Sequence, residues 1–126
     1  MAFKFKEGTL SITEYLEKLF EIANTAKALH LAQLDRKLST HLVLGELYDA
    51  LSAKADDFIE TYFGIYGTQL LSLTSVKVTD PIEYLQDSYH WLQRNRNLFT
   101  ESMLQNKIDE IQALVAHSLY KLKFVL

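Results

Sequence analysis

One proline, Pro81, and four glycines punctuate the 126 residues of this chain. These residue types most often stop a helix or open a turn, so their scarcity favours long helices over many short strands. Their positions agree: Gly8 precedes the first periodic segment, Gly64 and Gly67 close the second, and Pro81 opens the third. Between them the apolar residues recur at steps of three and four, the spacing of one buried helix face.

The first stripe is Ile12, Leu16, Leu19, Ala23 and Ala26, running on to His30, and Ser11-Ile12-Thr13-Glu14 before it reads as a capping box. The polar stretch 35–40 predicts a turn, with Ser39 or Thr40 as the next helix cap. The second stripe is His41, Leu44, Tyr48, Leu51, Ala55, Phe58 and Tyr62. Asp80, Pro81 and Glu83 announce a third helix with the face Ile82, Leu85, Tyr89, Leu92 and Phe99. Thr100 is read as the cap of a fourth, carrying Leu104, Ile108, Ile111, Val115 and Leu122. The expected helices cover about 11–34, 40–65, 80–98 and 101–123, within a single domain at 1–126.

Connection lengths choose the topology. Short first and third links make antiparallel hairpins, whereas residues 68–79 (TQLLSLTSVKVT) carry no helical stripe and are long enough to run the length of a helix pair. One short, one long and one short link is the ferritin-like arrangement: an all-α four-helix bundle of two antiparallel hairpins joined by a long middle crossover.

Composition narrows the chemistry. Cysteine is absent, which excludes disulfides, thiolate metal sites and cysteine nucleophiles. A net charge of -3 argues against a general nucleic-acid surface. No apolar run approaches the ~18 residues of a membrane span. The expected location is the cytoplasm. No serine lies in a nucleophile-elbow setting and no glycine-rich phosphate loop occurs.

The remaining chemistry lies between His30 and Glu60. His30 and His41 flank the expected turn, while Asp56 and Glu60 stand one helical turn apart far along the second helix. Fifteen helical residues separate His41 from Asp56 by about 22 Å, so one metal cannot join them within a chain. A second copy of that helix, laid antiparallel about a twofold axis near residues 49 and 50, brings His41 of one chain to Asp56 and Glu60 of the other. Gly45, Ala50, Ser52 and Ala53 lie around that crossing. Two imidazoles with two carboxylates suit iron, zinc or manganese. Asp57 is an alternative to Asp56.

The segment from His41 to Glu60 resembles the second helix of the Dps proteins, the ferritin-like DNA-protection proteins of starved bacteria. The resemblance implies an iron-binding ferroxidase centre between twofold-related subunits, with His30 and His41 from one chain and Asp56 and Glu60 from its mate. It also implies a homodimer or larger homo-oligomer. Leu31 stands where that family often has tryptophan, and the only basic stretch near the start is the brief Phe3-Lys4-Phe5-Lys6. The pattern from Ile108 to Phe124, with the second helix, is similar to small ferritin-like proteins of tailed bacteriophages, cyanophages among them.

Other residues carry plainer readings. Asp87 and His90 form one imperfect copy of a di-iron element and are expected in solvent. His117 is read as structural, and Tyr62, Phe63 and Tyr66 as aromatic core. The competing functional expectation is a non-catalytic phage helical-bundle protein that acts through protein–protein contacts.

Overall fold

The computed structural model describes residues 10–125. Gly8 and the Phe3–Lys6 stretch lie outside them. Four helices are present among the described residues: α1 (Ile12–Ala32), α2 (Leu38–Tyr66), α3 (Pro81–Asn95) and α4 (Ser102–Tyr120). A 3₁₀ turn (Arg96–Leu98) follows α3, and a π-helical turn (Lys121–Val125) follows α4.

Local chemistry accounts for the starts of α1 and α3. Ser11 and Glu14 form the expected capping box, each side chain satisfying the other's backbone N–H. Asp80 accepts from the amides of Ile82 and Glu83, and Pro81 occupies the first turn, where its missing N–H costs nothing. The other two starts differ from the sequence expectation. Lys37 is the N-cap residue of α2 and Glu101 that of α4, and neither side chain caps. Thr40 and Thr100 therefore cap nothing: α2 starts two residues before Thr40, whose hydroxyl instead donates to Asp35.

Side-chain links fix the directions of the helices. Along α2 and α4 the pairs are Glu46 with Lys121, Lys54 with Glu110, Asp57 with Lys107 and Tyr66 with Glu101, so these helices run antiparallel. Arg96 grips both carboxylate oxygens of Asp109, and Gln93 meets Gln112, which sets α3 antiparallel to α4. The crossover rises beside α1. The amide of Ser72 donates to Glu17, Asn24 donates to the carbonyl of Thr74, and the amide of Val76 donates to buried Thr25. Lower down, the hydroxyl of Thr13 donates to Gln69. The seven steps of extended chain from Gln69 to Val76 reach about 23 Å, enough to pass the twelve residue steps of α1 from Thr13 to Thr25, which span about 18 Å. The chain thus returns to the α1–α2 turn before α3 begins.

The core is built on the expected stripes, with Leu16, Ile22, Leu44, Leu51, Leu85, Leu92, Leu104, Ile108 and Val115 among its buried members. On α3 the expected Leu85 and Leu92 are buried, as is Phe99 beyond it, but the buried face also takes in Tyr84, Ser88 and Trp91, whereas Ile82 and Tyr89 are only half-buried. Tyr15 joins α1 to this face, stacked on Trp91 at 4.8 Å and edge-on to Phe99 at 4.9 Å. Its hydroxyl is buried and has no hydrogen-bond partner among the described residues. That burial pushes its pKa well above the ordinary tyrosine value.

An unsatisfied buried hydroxyl costs about 1–3 kcal/mol, so Tyr15→Phe is expected to stabilise the fold by up to about that amount. Leu85→Ala, which opens a cavity in the same core, should destabilise it by about 2–5 kcal/mol. Urea unfolding of both variants beside the wild type checks the opposite signs.

Candidate metal centre at the helical hairpin

Five residues join α1 to α2, and the turn is shaped by its own polar groups. Gln33 ends α1 in the left-handed conformation (φ 48°), and Arg36 repeats it (φ 58°). Asp35 organises the remainder. One carboxylate oxygen accepts from the Lys37 amide at 3.0 Å and the other from the Thr40 hydroxyl at 2.6 Å. The Thr40 hydroxyl, and then the Lys37 amide, hold the Asp35 carboxyl below its usual pKa.

This turn brings His30 and His41 together, as their positions predicted. The two imidazoles stack with centroids 3.7 Å apart and planes 16° from parallel. Each ring bonds to the other residue's backbone: His30 Nδ1 lies 2.6 Å from the His41 carbonyl oxygen, and His41 Nδ1 lies 2.8 Å from that of His30. A carbonyl only accepts, so each Nδ1 carries the proton. In a neutral ring the Nε2 lone pair is then left for a ligand. Beside the pair is a cavity of about 200 Å³ lined by Leu29, Leu34, Thr40, His41, Leu44 and Pro81.

Asp56 and Glu60 occupy the outward face of α2, exposed and free of hydrogen bonds and ion pairs to the described residues. Asp57, the alternative to Asp56, is taken by Lys107 at 2.6 Å on the α4 side. The outward stripe continues through Asp49, Glu46, Leu42 and Leu38, the two leucines 53 % and 70 % exposed. Among the described residues no group of three His, Asp or Glu side chains is placed to hold one metal ion. The buried core carries no carboxylate from which an internal di-iron site could be built, again among the described residues.

Gly45 corrects one expectation. It does not sit open at an inter-chain crossing, because the His30 ring covers it. A Cβ there would stand 2.7 Å from His30 Cε1 and 2.9 Å from Nδ1. The other minor candidates are surface groups: His90 and His117 are exposed and Asp87 is half-buried. His117 thus has no buried structural place. Tyr62 and Phe63 pack against the core, but Tyr66 is 57 % exposed and bonds Glu101. Sequence reasoning missed Asp35 as organiser of the turn and Thr25 as anchor of the crossover. Asp35 could have been found, since an aspartate whose side chain accepts from the backbone amide two residues on, here that of the N-cap Lys37, is a recognised turn-former.

Over the described residues these features define an all-α fold of four helices whose first hairpin carries a paired-imidazole turn. The chain belongs to a family of unknown function, DUF5856, whose model it matches over residues 34–122. The match spans α2, α3 and α4 with His41, Asp56 and Glu60, and begins beyond His30. No curated protein matches the chain, and no solved structure does. No helix is long and apolar enough to cross a membrane, among the described residues.

The lowered pKa of Asp35 predicts a local acid transition. Its contribution to the turn is present above the unfolded aspartate value of about 3.9 and is lost as pH falls through the lower folded value. The amide shifts of Lys37 and Thr40, followed by NMR down that range, should move together with the Asp35 carboxyl. Asp35→Ala should abolish the coupled transition.

Proposed function

We propose that this chain is a ferritin-like, Dps-like protein that binds iron at a site shared between two subunits and oxidises it there. His30 and His41 of one chain and Asp56 and Glu60 of its twofold mate are the ligands. The observation that carries this reading is the hydrogen bonding of the imidazoles. Metal-binding histidines almost always donate their second ring N–H to a carbonyl or carboxylate, and both rings here do so. The unpaired carboxylates of Asp56 and Glu60 supply the hard oxygen donors that complete a mixed set suited to iron. The long crossover returning beside α1 supports the ferritin-like topology.

Iron is the substrate. Two Fe(II) ions each release one electron, and one peroxide molecule takes up both with two protons to become two waters. The protein's part is to hold the ions with a position open to the oxidant. Leu38 and Leu42, exposed on the same face as Asp56, support association through α2.

The same hydrogen bonds favour a second reading, in which the imidazoles tie α1 to α2 and the bundle acts by contact with another protein. Anaerobic Fe(II) loading followed by oxidant addition separates the two. Under the first reading the protein sediments as a dimer or larger, binds iron and oxidises it. Asp56→Asn, which alters no bond of the fold, should slow oxidation by more than about tenfold, as should His41→Ala. Equal rates in all three proteins, or a wild type that stays monomeric and metal-free, leave only the second reading.

A further inference from the structure

We infer that Gly45 is a positioning residue for the imidazole pair: by carrying no side chain it uncovers the His41 carbonyl and seats the His30 ring against it. Glycine in a helix interior costs about 0.8–1 kcal/mol relative to alanine, so its presence in the middle of α2 calls for a local reason. Backbone freedom is not that reason, because among the described glycines only Gly67 has a positive φ. Relief of general crowding is not the reason either, since a Cβ at Gly64 would meet nothing within 4 Å.

Helix geometry supplies the reason. Each carbonyl points along the axis toward the residue four positions on, and side chains lean back toward the N-terminus. A side chain at 45 therefore overhangs the carbonyl of residue 41. Any group bonding that oxygen from outside the helix must pass over position 45. His30 does this, with Nδ1 at 2.6 Å from the oxygen. Its ring lies 2.7 to 3.5 Å from the point where a Cβ would stand. The ring is held in place by its bond to that oxygen and by the His41 ring stacked on it at 3.7 Å.

The reciprocal bond needs no such device. His30 lies in the last turn of α1, where the carbonyls have lost their helical partners and accept freely. One acceptor is thus exposed by the end of a helix and the other by a missing side chain. Gly45 sets which nitrogen of His30 bears the proton, and so which one is left for a ligand. That last point rests on the metal reading above, whereas the placement of the ring does not.

The test uses the metal-free protein. Long-range ¹H–¹⁵N spectra of the imidazoles at pH 8 should show both His30 and His41 protonated on Nδ1. In Gly45→Ala the His30 signal should move to the Nε2-protonated pattern favoured by free imidazole. Gly64→Ala should leave both rings unchanged. The double variant Gly45→Ala with His30→Ala should recover thermal stability lost in Gly45→Ala alone, because the methyl then fills space the ring has left. An unchanged His30 tautomer in Gly45→Ala overturns the assignment. So does a double variant no more stable than the single one, since Gly45 would then serve something other than the ring. Because no metal is present, these results stand or fall separately from iron oxidation.

Discussion

The course of residues 67–80 governs the rest of the molecule. By returning beside α1 instead of turning back at once, the crossover starts α3 at the same end as α2. It follows that α3 runs parallel to α2 and that α4 runs antiparallel to it. The crossover has no ladder to hold it. Its backbone is satisfied by Glu17, Asn24 and Thr25, and Leu71, Val76 and Val78 pack against the core. With α1 on one flank and α4 on the other, α2 keeps its third face outward over the full length of the bundle. The stripe Leu38, Leu42, Glu46, Asp49, Ala53, Asp56 and Glu60 is the product of that topology.

The imidazole pair occupies the opposite situation, half-buried between two helices and tied to both. Each hydrogen bond contributes about 0.5–1.5 kcal/mol, enough to fasten the hairpin but small beside the buried stripes. The structural bonds use only one nitrogen of each ring. Nδ1 serves the fold while Nε2 stays uncommitted. A ring bonded through both nitrogens would have been a core residue only.

The sequence made the helices legible because each stripe repeats at helical spacing and strong boundary signals stand at Ser11, Asp80 and Pro81. The convergence of His30 and His41 was also legible, being a consequence of a short turn between antiparallel helices. Three things were not. Stripe spacing left Tyr84 and Trp91 out of the α3 face because both look amphipathic in sequence, and Trp91 lies under Tyr15 arriving from α1. Thr40 looked like a cap, yet its hydroxyl is held by an aspartate outside the helix. Gly45 looked like a place for two chains to approach, whereas its neighbour is a ring from the same chain. In each case the deciding partner is remote in sequence or lies just beyond the element being read.

The placement of the carboxylates has a thermodynamic consequence. Two α2 faces brought together antiparallel carry Asp49, Asp56 and Glu60 twice over, and like charges at such range repel. The leucines at the start of the helix offset part of that repulsion, and a cation bound between imidazole and carboxylate offsets more. Whatever binds the paired state but not the separated one stabilises the pair by mass action. In the proposed arrangement metal binding and subunit pairing are therefore one linked equilibrium. In that proposed arrangement the fold of one chain sets the His30–His41 half, and Asp56 and Glu60 reach it only on pairing, so neither half completes the proposed site alone.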